Sequence, residues 1–108
     1  MKYLLNQNDF EILIGKKEVD YLLPDITVIY FTATWCGPCQ RINKDTLYDS
    51  FPNINILICD IDQNEYTAGY CGIRKIPTFM VIQKTKIIDT FSLTDTSEII
   101  QKIKQLIL

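Results

Sequence analysis

Ile26-Thr27-Val28-Ile29-Tyr30-Phe31, followed two residues later by Thr34-Trp35-Cys36-Gly37-Pro38-Cys39, is the stretch from which the rest of the chain can be read. The first half is an apolar, β-branched run between turn signals. It reads as a strand buried on both faces, which is the pattern of a sheet covered by helices above and below. The second half reads as the start of a helix near Cys36, with Pro38 in the first turn, where a missing N–H costs nothing. Two cysteines one helical turn apart have Cβ atoms about 5–6 Å from each other. A disulfide needs a Cβ separation nearer ~3.8 Å and a Cα separation of about 4.4–6.8 Å. A small adjustment closes the ring, so the pair can pass between dithiol and disulfide without refolding. Unpaired N–H groups and the positive end of a helix beside Cys36 favour its thiolate and make it the natural nucleophile. Cys39, turned back into the helix, is the natural resolving thiol. Gly37 removes bulk where another molecule's disulfide must approach, and Pro38 stiffens the turn.

Outward from this segment the chain alternates strands and helices. Tyr3 to Leu5 reads as a short strand. Asn8 or Asp9 can cap a helix through Phe10, Ile12, Leu13 and Ile14 that ends near Gly15. A second helical piece is expected from Lys16 to Leu23, stopped by Pro24. Ile54 to Cys59 is another buried strand, and Asp62, Gln63 and Asn64 offer caps for a short helix through Tyr70. Thr78 to Ile82 follows Pro77, which cannot donate to a ladder. Lys86 to Phe91 pairs with it through a turn at Lys84-Thr85. Asp95-x-x-Glu98 is a capping box with Asp in place of Ser or Thr. Behind it Ile99, Ile103 and Leu106, flanked by Ile100 and Ile107, form one apolar helical stripe. The order βαβα then ββα predicts an α/β fold with a central sheet and helices on both faces.

Composition bounds the chemistry. At 108 residues, 47% hydrophobic and 22% charged, without repeats or linkers, the chain is expected to form one domain over 1–108. A formal charge of −2 gives no reason to expect nucleic acid or an anionic membrane surface as a partner. The opening MKYLL is too short for a signal-peptide apolar region, and no stretch nears the ~20 apolar residues of a spanning helix. A cytoplasmic location is therefore the expectation. With no His, neither a Ser–His nor a Cys–His pair exists within the chain, and no His-ligated metal. In a reducing compartment a close cysteine pair is redox-active or metal-binding. A tetrahedral site would have to recruit Cys59 and Cys71. Cys59, at the end of an apolar strand, reads better as a small hydrophobe, and Cys71 as a bystander thiol near a groove. Asp60 and Asp62 read as loop carboxylates and a helix cap, and Lys16 and Lys17 as a solvated corner.

The sequence resembles the thioredoxin family. Trp35-Cys36-Gly37-Pro38-Cys39 is that family's hallmark, Asp60-Ile61-Asp62-Gln63-Asn64 fits its segment after the third strand, and Tyr70 to Thr78 (YCGIRKIPT) fits its approach to a cis-proline. The resemblance covers essentially the whole chain and implies the thioredoxin fold, with a mixed sheet. It implies a thiol–disulfide oxidoreductase that reduces protein disulfides and is re-reduced by a separate enzyme of the thioredoxin-reductase type. No cofactor beyond the redox-active disulfide, no metal and a monomer are expected. It further implies that Ile76–Pro77 is cis and faces the cysteines, so that the Ile76 backbone pairs with an extended substrate segment. Trp35 would wall the site, and Gly37 and Pro38 would border the substrate. A different class of function, an interaction subunit of an assembly with the cysteines incidental, fits the same scaffold. An oxidase or isomerase usually carries other residues between the cysteines.

The departures from the family pattern are specific. Tyr30 stands where an acid usually lies beneath the resolving cysteine, Ile58 where a lysine accompanies it, and Lys44 where a proline kinks the following helix. Thr85 and Leu93 replace two glycines expected near the substrate groove. The Tyr30 ring reads first as core packing, and only second as part of a proton path.

Overall fold

In the computed structural model, which describes residues 2–107, five strands form one mixed sheet in the order β1-β3-β2-β4-β5. The strands are β1 (Lys2–Tyr3), β2 (Ile26–Thr32), β3 (Asn55–Asp60), β4 (Thr78–Gln83) and β5 (Lys86–Phe91). The helices are α1 (Gln7–Leu13), α2 (Gly37–Gln40), α3 (Lys44–Asp49), α4 (Glu65–Tyr70) and α5 (Thr96–Ile107). β1, β3 and β2 run parallel, while β4 runs antiparallel to β2, and β5 to β4. Among the described residues no helix is long and apolar enough to cross a membrane.

Side chains alternate across a strand, and here the alternation divides the core in two. Val28, Tyr30, Ile56, Ile58, Phe79 and Val81 point to one face, where they pack with Leu47 of α3, Ile99 and Ile103 of α5, and both motif cysteines. Ile29, Phe31, Leu57, Cys59, Met80 and Ile82 point to the other, where Phe10 of α1 and Ala68 of α4 cover them. The continuous apolar runs of β2, β3 and β4 exist because both faces are covered.

The ends of the elements differ from the sequence expectation in instructive ways. β1 is Lys2–Tyr3 rather than Tyr3–Leu5, though the Leu4 amide still donates to the Ile58 carbonyl at 2.7 Å. The cap of α1 is Asn6, not Asn8 or Asp9: its side chain accepts from the Asp9 amide at 2.8 Å, which places Asn8 and Asp9 inside the first turn. Asn8 instead accepts from the Lys17 ammonium, and Lys16 lies over the Tyr70 ring, 5.0 Å from its centroid. The helix expected from Lys16 to Leu23 does not form. Gly15, at φ +78, ends α1, and too few residues remain before Pro24 for a self-sustaining helix. Tyr21 and Leu22 stay exposed, so no buried face supports one either. Of the three candidate caps for α4, Asn64 is used. Its oxygen accepts from the Thr67 amide while its NH₂ donates to the Leu4 carbonyl, a double role that no carboxylate can play. At α5 the Asp95 carboxylate accepts from the Glu98 amide at 3.0 Å.

Candidate active site

The redox pair lies where β2 runs out into α2. Cys36 is the N-cap of α2, and Cys39 is its third residue. The two are joined as a disulfide with Cα atoms 5.3 Å apart, within the range such a bond requires. The Cys39 amide donates to Cys36 Sγ at 3.2 Å. That N–H stabilises negative charge on Cys36 in the reduced form, because hydrogen bonds to a charged form favour it. α2 is only four residues long, so this local N–H, more than a summed helix dipole, is what the sulfur meets. Cys36 is 4% exposed and Cys39 1%, so Cys36 is the less buried of the two. A Cβ added to Gly37 would meet nothing nearer than an Arg41 guanidinium nitrogen at 3.9 Å. The glycine therefore leaves open space above the pair.

Opposite the motif, the Ile76–Pro77 bond is cis, and Cys36 Sγ lies 3.8 Å from the Ile76 carbonyl oxygen. Pro77 itself is buried and Ile76 half-buried. The turn is pinned from behind: the Thr78 hydroxyl donates to the Lys75 carbonyl at 2.6 Å and accepts from Ser92 at the same distance. Trp35 is 66% exposed, and its indole N–H donates to Asp62 at 2.8 Å. With Ile61, Ile73, Arg74, Lys75 and Ile76 it lines a cavity of about 300 Å³ beside the disulfide. Asp62 is thus the anchor of Trp35 rather than a helix cap. Twenty-seven residues separate the two, and no local pattern announces the pairing. Asp60 holds the same loop, accepting from the Asp62 amide at 2.9 Å.

Beneath the pair lies Tyr30, fully buried, its ring stacked on Phe79 at 4.8 Å between centroids. Its hydroxyl donates to the backbone carbonyl of Cys39 at 3.2 Å. Burial pushes the Tyr30 phenol up from its ordinary pKa, with the Thr32 side chain partly opposing. Ile58 pairs with Tyr30 across the β2–β3 ladder and packs in the same cluster. An aromatic and an aliphatic side chain therefore fill the space where the resemblance expects an acid and a lysine. Replacing a buried ion pair by packed apolar groups is often neutral or stabilising. At Lys44, where a kinking proline was expected, the helical path breaks without one. Asn43 caps α3 by accepting from the Thr46 amide, and its own N–H donates to the Thr96 hydroxyl.

One expectation for the surroundings is corrected. Thr85 is not near the groove. It sits in the β4–β5 turn, at the end of the sheet away from the cysteines, against Gly15, whose added Cβ would meet Thr85 Cβ at 3.1 Å. Cys71 is half-buried against the second core face, and burial pushes its thiol up to about 11. Cys59 is fully buried there, its thiol pushed up to about 12 by burial and then by Cys71 and Asp60. Leu93 packs partly buried against the first core face. Among the described residues no three His, Cys, Asp or Glu side chains gather as a metal site.

Comparison with known proteins matches this geometry. The family model described as Thioredoxin fits residues 4–105. Thioredoxin from Ictalurus punctatus is 38% identical over 82 residues, covering 72% of this chain and 77% of that protein. Thioredoxin from Equus caballus is 33% identical over 84 residues, covering 76% and 80%. Among solved structures, oxidized mitochondrial thioredoxin 3 from Saccharomyces cerevisiae superposes with a TM-score of 0.83 at 28% identity, covering 98% of this chain and 95% of that one. Fasciola hepatica thioredoxin gives 0.81 at 30% identity, covering 98% and 99%. With the sheet, the disulfide at the head of α2 and the family model all in agreement, the chain belongs to the thioredoxin family and is a thiol–disulfide oxidoreductase of protein disulfides, with Cys36–Cys39 as its redox centre.

Proposed function

We propose that this protein works as a cytoplasmic reductant in which Cys36 attacks and Cys39 resolves. The observation that carries the assignment is the Cys39 N–H aimed at Cys36 Sγ at 3.2 Å, on the less buried of the two cysteines. Cys36 thiolate attacks one sulfur of a target disulfide, forming a mixed disulfide and releasing the first target thiolate, which takes up a proton. Cys39 loses its proton and attacks Cys36 Sγ. The Cys36–Cys39 bond forms, and the second target thiolate leaves. Two electrons pass to the target, whose two thiolates take up one proton from solvent and the one that Cys39 gives up. A separate enzyme of the thioredoxin-reductase type then restores the dithiol, since the chain has no glycine-rich dinucleotide fingerprint. Trp35, Gly37, Pro38 and the Ile76 backbone before Pro77 border the substrate. The two free thiols, Cys59 and Cys71, suit a reducing compartment.

Reduction of insulin disulfides tests the roles. Cys36→Ser is expected to abolish turnover, and Cys39→Ser to accumulate a covalent protein–target adduct. Turnover that survives Cys36→Ser would overturn the assignment. The direction of electron flow is tested by equilibration with glutathione. Gly37-Pro38 between the cysteines predicts a potential nearer about −270 mV than the ~−120 mV of a strong oxidant. A value above about −200 mV, the glutaredoxin end of that scale, would refute the reducing role.

A further inference from the structure

The mouth of the disulfide is basic although the chain as a whole carries a formal charge of −2. Arg74 and Lys75 stand in the wall of the cavity beside Trp35, directly before Ile76, whose carbonyl lies 3.8 Å from Cys36 Sγ. On the motif itself, the Arg41 guanidinium comes within 3.9 Å of where a Cβ on Gly37 would sit. All three side chains are exposed. Among the described residues the ion pairs are Lys17–Glu11 and Lys102–Asp89, so none of the three cations is paired with a carboxylate of a described residue. Of the nearby acids, Asp62 is held by the Trp35 indole. Asp60 lies beside Lys44 on a small cavity that Ala33, Thr34 and Gln40 also line. Three cations, Arg41, Arg74 and Lys75, therefore stand against two carboxylates, Asp60 and Asp62, in the segments around the motif, with Lys44 beside Asp60.

We infer that Arg41, Arg74 and Lys75 make this disulfide face select target segments that carry Asp or Glu beside the cysteine to be reduced. The inference rests on the reading of Cys36 and Cys39 as a protein-disulfide reductant and adds to it the charge of the preferred substrate. An extended segment laid along Ile76 puts alternate side chains on opposite sides. One apolar side chain enters the cavity between Trp35, Ile61, Ile73 and Ile76, and its neighbour reaches Arg74 or Lys75. Arginine suits the task because its planar fork takes a carboxylate in two parallel hydrogen bonds. The cluster also raises the local concentration of acidic segments before contact, an effect that salt screens. Each exposed pair corresponds to about 1.4- to 5-fold in affinity, so three cations together amount to a preference on the order of tenfold.

The test uses the full chain, reduced chemically and then freed of reductant. Three peptides of one length carry the same internal disulfide, flanked by Glu, Gln or Lys, and second-order reduction rates are compared. The Glu peptide is expected to react on the order of tenfold faster than the Lys peptide at low salt, with the ratio falling toward unity near about 0.5 M salt. The double variant Arg74→Gln with Lys75→Gln, and Arg41→Gln separately, should each shrink that ratio. Equal rates for the three peptides, or a ratio unmoved by these variants, would overturn the selectivity while leaving the reductant standing. If the Gln peptide is not reduced at all, the reductant reading fails, and the selectivity with it.

Discussion

Removing the Tyr30 hydroxyl separates a packing role from a proton-transfer role. In Tyr30→Phe the ring keeps its place against Phe79, stacked within 6°. What is lost is one hydrogen bond, to the Cys39 carbonyl at 3.2 Å, beyond the usual 2.5–3.0 Å range for O–H···O. That carbonyl is not orphaned, because the Ile42 amide also donates to it, at 3.2 Å. The expected loss is therefore at the low end of the usual range for a hydrogen bond, about 0.5–1 kcal/mol, or about 2–8 °C in Tm for a domain near this size. The kinetics should hardly change. The hydroxyl's single proton goes to a backbone carbonyl, and burial raises its pKa, so near neutral pH it is not a base for the Cys39 thiol. We expect the mixed disulfide formed at Cys36 to collapse within about twofold of the wild-type rate, measured by stopped flow on a chromogenic disulfide, since a positioned proton acceptor would be worth at least ~10². Slowing by tenfold or more would show that the hydroxyl belongs to the proton path. Tyr30→Asp is the converse variant. It places an acceptor beneath Cys39 and should speed collapse. It also removes a buried ring, at about 3–5 kcal/mol, and buries a carboxylate, so its rate is read on the folded fraction established by circular dichroism.

The Tyr48 hydroxyl is buried without a hydrogen-bond partner. Tyr48→Phe should therefore raise stability by about 1 kcal/mol, visible as a higher urea midpoint, and an unchanged or lower midpoint would refute this. Lys84 and Thr85 both hold left-handed backbone, φ 48 and φ 68, in a two-residue hairpin that favours Asn-Gly. Lys84→Asn with Thr85→Gly should stabilise by about 1 kcal/mol after the lost Thr85 contact with Gly15 is allowed for, and thermal unfolding checks it. Cys59 and Tyr48 are pushed up to about 12 and Cys71 to about 11 from ordinary values of 9.0 for the thiols and 10.0 for the phenol. The unfolded chain releases these protons first, so stability is intact below about pH 9 and falls as pH rises toward 12. Urea midpoints across that window should decline, less steeply in Cys59→Ala, and a flat profile would contradict the burial argument.

The motif and the buried strands were legible because each is local. Ile26 to Phe31 carries its two-faced burial in its own composition, and Cys36 and Cys39 carry their chemistry in their spacing. The misplaced features were settled by contacts distant in sequence. Asn6 wins the α1 cap because of where its side chain reaches the Asp9 amide. Asn64 wins the α4 cap because Leu4, sixty residues earlier, offers a carbonyl. Nothing in the sequence around Trp35 says that Asp62 will hold it. The 16–23 segment reads as helical by content, yet Tyr21 and Leu22 find no partner to cover them. Thr85 was assigned to the groove by resemblance alone; the antiparallel direction of β4 carries its turn to the opposite end of the sheet.

The same alternation along the strands accounts for a separation that the chemistry needs. Tyr30 points to the face that holds Cys36 and Cys39, while its neighbour Phe31 points to the face that holds Cys59 and Cys71. Exchange between the pairs would require a thiolate to reach a sulfur on the other side of a sheet whose central strands are covered on both faces. Burial also holds the Cys59 and Cys71 thiols protonated, at about 12 and about 11, so near neutral pH the fraction present as the attacking thiolate is small. A one-residue register slip in β3 would bring Cys59 to the face of the disulfide. The ladder with β2, running from Thr27–Asn55 to Thr32–Asp60, fixes the register that keeps a reactive disulfide and two free thiols in one small chain without scrambling.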